Sequence, residues 1–230
     1  MDCSVSLFHD LLKVTKPYRY IGHEYLSCNK DFESAKCRLV LAFPDKYEIA
    51  VSNIGQKLLY ETVNSSPDFM ADRAYAPDFD YLKQLEENHR GLTTLEGGRK
   101  LLDFDMVGFS LQYELSYPTI LKMLELAEIP LKRFDRGENI PLVYAGGPCC
   151  FNPAVLSDYF YFFVIGDGDE LILEMLEKYT ELRNKGYSRN EILKEMSEIE
   201  GIYVPLYAKK TKKCVSPFNT LPLKHKTPIP

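Results

Sequence analysis

The sequence predicts a doubly wound α/β domain built on a mainly parallel sheet, and three observations carry that prediction. Short apolar runs alternate with longer segments of helical periodicity, a pattern that places helices on both faces of a parallel sheet. Two of these runs end in glycine-rich turns, Leu142-Val143-Tyr144-Ala145-Gly146-Gly147-Pro148 and Phe162-Phe163-Val164-Ile165-Gly166-Asp167-Gly168-Asp169-Glu170. The 230 residues are 45% hydrophobic and 27% charged, which suits one ordinary globular domain with appendages. Ligands of open α/β sheets bind beyond the carboxyl ends of the strands, where glycine lets main chain approach a phosphate or an amide. The two glycine turns therefore mark the candidate site.

Each element follows from its residues. Leu7, Phe8, Leu11 and Leu12 form an apolar stripe after Ser4 or Ser6, a short helix that stops before Pro17. Residues 18–36 are polar and irregular. Residues 38–43 form the first central strand, closed by Pro44-Asp45, and Ser52-Asn53-Ile54-Gly55 leads into a helix carrying Leu58, Leu59 and Val63. Residues 71–76 are a second strand, and Pro77-Asp78 starts a helix with Tyr81, Leu82 and Leu85 on one face. A short strand at 92–95 and a turn at Gly97-Gly98 precede the clearest central strand, 106–111. Ser116 is then an N-cap, with Pro118 in the first turn of a helix bearing Ile120, Leu121, Leu124 and Ala127. After the glycine turns, Asp169-Glu170 places acid in the first turn of a helix whose stripe is Ile172, Met175, Leu176 and Tyr179, ended by Gly186. Ser188 and Glu191 form a capping box for a last helix with Ile192, Leu193 and Met196. Two β-like pieces, 202–204 and 206–208, and an exposed basic hairpin turn at Lys209, Lys210, Lys212 and Lys213 lead to proline-rich sequence.

The net charge of −5 argues against a general nucleic-acid or membrane surface. No apolar run reaches the ~18 residues of a membrane span, and Met1-Asp2-Cys3-Ser4 lacks a signal-peptide pattern, so a cytoplasmic protein is expected. Cys3, Cys28, Cys37, Cys149, Cys150 and Cys214 form neither a CxxC pair nor a CxxxCxxC triad, which leaves them as free thiols rather than cluster or zinc ligands. Cys149 and Cys150 are expected to be buried. His9, His23, His89 and His225 are scattered and read as surface residues.

The pieces Tyr20-Ile21-Gly22-His23-Glu24-Tyr25, Leu41-Ala42-Phe43-Pro44-Asp45, Asn53-Ile54-Gly55 with Leu59-Tyr60, Val107-Gly108-Phe109-Ser110-Leu111-Gln112-Tyr113-Glu114, Ala145-Gly146-Gly147-Pro148 with Phe151-Asn152-Pro153, and Ile165-Gly166-Asp167-Gly168 with Glu170 occur in order. Together they resemble the N-terminal cobalamin-binding domain of cobalamin-dependent radical S-adenosylmethionine (SAM) proteins, in a functionally uncharacterised bacterial branch. The resemblance implies a flavodoxin-like domain holding a corrinoid over the carboxyl edge of the sheet. It implies a following barrel, in cis or as a separate chain, that supplies a [4Fe-4S] cluster and S-adenosylmethionine for methyl transfer or a related radical step. No cluster motif is present here, and Thr227-Pro228-Ile229-Pro230 looks like the linker toward that barrel. The expectation is a truncated piece, one product of a split gene, or a stand-alone remnant. Its expected parts are an N-terminal extension (1–36), the cobalamin-binding-like domain (37–186) and a C-terminal helix, hairpin and linker (187–230).

On this reading the cofactor residues are Asn53, Gly55, Ser110, Leu111, Gln112, Gly146, Gly147, Pro148, Gly166, Asp167, Gly168 and Glu170, with no catalytic and no metal residues. The DxHxxG signature of a cobalt-ligating histidine is absent, and Asn53 stands where relatives often carry histidine; an amide is a poor cobalt ligand beside an imidazole. Gly55 serves the start of the helix. Tyr113 or Tyr117 is placed to face a flat ligand. Two alternatives stand beside the cobalamin module: a cofactor-free scaffold with a blocked sheet edge, and a flavin-binding electron carrier with a phosphate nest at the first strand's turn.

Overall fold

Six apolar runs become strands: β1 (Cys37–Phe43), β2 (Phe69–Tyr75), β3 (Met106–Ser110), β4 (Leu142–Gly146), β5 (Phe162–Val164) and β6 (Ile202–Tyr203). In the computed structural model, which describes residues 9–216, they form one sheet in the order β2-β1-β3-β4-β5-β6. The first five are parallel and β6 runs antiparallel to β5. The parallel part has flavodoxin-like order, and its direction reverses between β1 and β3, the switch point where such sheets open a crevice. Both faces are covered, which is why these strands read as nearly unbroken apolar runs.

Helix α1 (Ile54–Ser65) packs on one face; α2 (Phe79–Glu87) and α3 (Tyr117–Leu126) pack on the other. The chain then returns to the first face with α4 (Leu171–Asn184) and α5 (Arg189–Met196). Val40, Val107, Val143 and Phe163 point into the α2/α3 core, whereas Leu39, Met106, Leu142 and Phe162 point into the α1/α4/α5 core. The caps follow the sequence in three places. The Asn53 side chain accepts from the Gln56 N–H at 2.8 Å, Asp78 caps α2, and Ser188 with Glu191 completes the capping box of α5.

Four expectations are corrected. Residues 92–95 form no strand; Thr93 makes a single bridge to Lys100, and the Leu95 N–H donates to the Arg73 carbonyl, covering the free edge of β2. Ser116 does not cap α3, because its hydroxyl donates back to the Tyr113 carbonyl within a 3-10 turn, Glu114–Ser116. Helix α4 starts at Leu171, so Glu170 is its N-cap residue, without a side-chain capping bond. Residues 206–208 lie in a turn rather than a second β piece, and no hairpin forms; the chain past the lysines instead reaches Cys214, which bridges Gly166 beside β5. At the N-terminus residues 9–11 are helical and the helix ends before Pro17; its caps at Ser4 or Ser6 lie outside the described residues, as do Cys3, His225 and 227–230.

The polar segment after Pro17 is tied down by ions. Arg19 pairs with Glu48 and Asp78, and the buried Arg73 of β2 pairs with Glu24 at 2.8 Å and with Glu96. Asp72 accepts from the backbone N–H groups of Glu96 and Gly97 at 3.0 and 2.9 Å. One guanidinium thus faces two carboxyl groups, and Asp72 stands behind Glu96. Burial, and then Asp72 beside it, push the Glu96 carboxyl well above its ordinary range.

Candidate functional site: a cavity above two strand glycines

Alternation along the strands puts Leu41, Gly108, Ser110, Tyr144, Gly146, Phe162 and Val164 on the face toward α1 and α4. The register aligns Leu41 with Gly108, Gly108 with Tyr144, and Tyr144 with Phe162 in one row; Ser110, Gly146 and Val164 form the next row. Two neighbouring positions of this face therefore lack a side chain. Tyr144 covers the first: a Cβ at Gly108 would stand 2.4 Å from Tyr144 Cζ. Its ring stacks on Phe162 with centroids 4.8 Å apart and planes 5° apart. The second position stays open, since a Cβ at Gly146 would meet only Val164 Cβ, at 3.7 Å.

Above this trough lies a cavity of about 780 Å³ between α1 and α4 at the carboxyl end of the sheet. That size falls inside the roughly 300–1,000 Å³ of small-molecule and cofactor sites. Leu58 and Leu59 of α1 and Leu171, Ile172 and Met175 of α4 make its walls apolar. Its mouth is polar, with Asn53, Ser110, Gln112, Asp167, Asp169 and Ser216. The charged residues among the described lining are Asp167 and Asp169, with no lysine or arginine.

Part of the mouth is built by the end of the described chain. Cys214 donates its N–H to the Ile165 carbonyl at 3.0 Å and accepts from the Asp167 N–H at 3.0 Å. Ser216 then donates its N–H to Asp167 Oδ2 at 3.1 Å and its hydroxyl to Asp169 Oδ1. This strap brings Val215 and Ser216 into the lining.

The structure gathers Asn53, Gly55, Ser110, Gln112, Gly146, Gly147, Gly166, Asp167 and Gly168 around this one cavity. Leu111, Pro148 and Glu170 stand outside it. Leu111 is buried in the opposite core and contributes backbone only, donating to the Gly146 carbonyl at 2.7 Å and accepting from the Cys149 N–H at 3.1 Å. Pro148 is exposed at the start of a 3-10 turn, Pro148–Phe151, and Glu170 is exposed at the start of α4.

The glycines divide by physical role. Gly147 (φ +114°) and Gly166 (φ +115°) hold left-handed conformations, and a Cβ there would stand 2.7 Å from the Leu111 carbonyl oxygen and 2.0 Å from that of Cys214. They are needed for the chain's own close packing. Gly146 and Gly168 have room, the latter meeting only Leu59 Cδ2 at 3.5 Å, and they keep space open at the cavity.

Sequence reasoning missed Gly108 and Tyr144 as floor residues, although the period of two that places Gly108 with Ser110 and Tyr144 with Gly146 was the available signal. It also missed Val215 and Ser216, which reach the site only through the Cys214 bridge. The Asn53 side chain is occupied in capping α1. Of the tyrosines placed to face a ligand, Tyr113 instead donates to Asp45 at 3.2 Å across the switch point, and Tyr117 packs beside Cys149. Cys150 is buried and Cys149 half-buried. Burial first, then Cys149, raises the Cys150 thiol to about 12, and burial with Glu114 raises Cys149, so neither is poised as a thiolate. Among the described residues no histidine lines the cavity and no cluster of three metal-ligating side chains occurs. No described helix is long and apolar enough to cross a membrane.

Comparison with known proteins gives a family match over residues 55–205, to the N-terminal domain of radical SAM proteins. No curated protein matches the chain. A solved structure of the radical S-adenosylmethionine methyltransferase TsrM from Kitasatospora setae, with tryptophan substrate and a SAM analogue bound, is similar over 76% of this chain and 30% of its own, at 16% identity and a TM-score of 0.43.

Proposed function

The chain belongs to the family of radical SAM N-terminal domains, and on that premise we propose that it is a corrinoid-holding module serving a radical SAM barrel. One observation carries the reading: the sheet face at the switch point is hollowed at Gly146, beside the Tyr144 ring that covers Gly108, into an apolar slot open at the edge where such folds take ligands. A corrin macrocycle is too broad for the slot, but the flat base of its nucleotide tail suits one walled by leucine, isoleucine and methionine. Ser110 and Gln112 at the mouth are placed to hydrogen-bond the amides around the macrocycle, and the backbone at Gly146 and Gly168 has space for the tail to pass. Asn53, already capping α1, leaves cobalt without a ligand from that position. The bound corrinoid supplies methyl-transfer or related radical chemistry to the barrel, which contributes the [4Fe-4S] cluster and S-adenosylmethionine.

The surface around the mouth supports a covering partner. Ile54, Phe79 and Leu115 are 81%, 86% and 85% exposed and stand just past the carboxyl ends of β1, β2 and β3. Apolar side chains this exposed along one edge of the sheet suit an interaction face. The open slot speaks against a cofactor-free scaffold with a blocked edge. Asp167 and Asp169 at the mouth repel a phosphate dianion, which weighs against flavin mononucleotide.

The test is gel filtration of the full chain after incubation with hydroxocobalamin, methylcobalamin or flavin mononucleotide. Co-elution of corrin absorbance in one-to-one ratio is expected, with no co-elution of flavin. Flavin retained in place of corrinoid would overturn the reading.

A further inference from the structure

Within the slot, Tyr144 is one of two buried polar side chains. Leu41, Val164, Ile172 and Met175 around it are apolar, and the other, Gln56, already donates its amide to the Leu41 carbonyl at 3.0 Å. The residue is 5% exposed, and its hydroxyl pairs with none of the described residues. The ring leans over Gly108, whose absent side chain would lie 2.5 Å from that hydroxyl oxygen, and the stack on Phe162 holds it there. A hydroxyl that lines an apolar cavity and bonds none of the described residues is free to bond a ligand seated there.

Resting on the corrinoid reading, we infer that the Tyr144 hydroxyl donates a hydrogen bond to the free ring nitrogen of the corrinoid's nucleotide base. In hydroxocobalamin that nitrogen is bound to cobalt. For the base to enter the slot the nitrogen–cobalt coordinate bond must open, with the electron pair returning to nitrogen. The exposed lone pair then needs a donor, and Tyr144 offers it on the slot floor. No proton is transferred and no redox change occurs. Burial keeps the phenol protonated at neutral pH, so the donor is present whenever the base arrives. The geometry thereby favours the form in which the base has left the metal, and makes the slot selective for corrinoids that carry a tail with an acceptor.

The experiment titrates the full wild-type chain and its Tyr144→Phe variant with hydroxocobalamin and with cobinamide, which lacks the nucleotide, by calorimetry and corrin absorbance. The variant is expected to bind hydroxocobalamin about 3- to 10-fold more weakly, the worth of one hydrogen bond. It should also show a smaller base-off fraction at saturation and an unchanged affinity for cobinamide. Since the hydroxyl has no described partner in the free chain, the variant should melt no lower than wild type. Equal hydroxocobalamin affinity and spectra in the two proteins would overturn this inference while leaving the corrinoid reading intact. An equal loss for both corrinoids would also overturn it, by making Tyr144 merely structural. A wild-type chain that binds neither corrinoid would overturn the underlying reading and this inference with it.

Discussion

Replacing Gly146 by valine should block the slot while leaving the fold intact. The backbone there is ordinary strand, and the new Cβ would meet Val164 Cβ at 3.7 Å, a normal van der Waals distance. Valine also suits a strand, so folding should change by less than about 1 kcal/mol. Its methyl groups, however, project into the only open position of the floor row formed with Ser110 and Val164. A ligand seated there must shift or strain by an amount typical of overpacking, about 1–3 kcal/mol. That corresponds to roughly 5- to 150-fold weaker binding. The same change at Gly147 is a contrast: at φ +114°, with the Leu111 carbonyl oxygen 2.7 Å from the new Cβ, valine strains the backbone itself. Calorimetric titration with hydroxocobalamin, paired with thermal unfolding, separates the two cases. Gly146→Val should melt like wild type and bind poorly; Gly147→Val should melt early. Wild-type affinity in Gly146→Val would refute the assignment of the slot, and early melting of that variant would refute the claim that the position is open.

Other expectations follow from the same structure. Glu96 is raised by burial and by Asp72, so it takes up a proton at a higher pH in the folded chain than in the unfolded one. Its contribution is therefore fully present below the unfolded value near about 4.3 and declines as pH rises toward the folded value, by at most about 1.4 kcal/mol per pH unit. Urea midpoints measured across that window should fall for wild type and stay flatter in Glu96→Gln; parallel curves would count against it. Removing the guanidinium with Arg73→Met strands the buried carboxyl groups of Glu24 and Glu96 and should cost about 3–5 kcal/mol, read by denaturant unfolding. Ser188→Ala removes half of a capping box and should cost about 0.5–2 kcal/mol, lowering the melting temperature by about 2–4 °C per kcal/mol.

Much of this fold was legible because its determinants are local. The runs at 38–43 and 106–111 are apolar on both faces, and α1, α2 and α5 carry their own caps at Asn53, Asp78 and Ser188. Ser116 misled because a 3-10 turn ahead of α3 takes its hydroxyl, an arrangement that composition does not announce. The glycines at 146–147 and 166–168 marked the right edge of the sheet, but two of them serve internal packing against Leu111 and Cys214 rather than an open approach. Gly108 went unread since an isolated glycine in a strand suggests weakness or a bulge. Only the register with Tyr144 turns it into part of a floor. Asp72 and Arg73 are similarly opaque in sequence: charges inside a buried strand make sense only once Glu24 and Glu96 arrive from distant segments.

The central claim is that the slot between α1 and α4 holds the tail of a corrinoid, and a crystal structure of the full chain grown with hydroxocobalamin tests it most directly. The account predicts density for a planar base above Tyr144 and Gly146, with the macrocycle outside near Ser110 and Gln112. Corrinoid density anywhere else on the chain, with the slot filled by water, would contradict it.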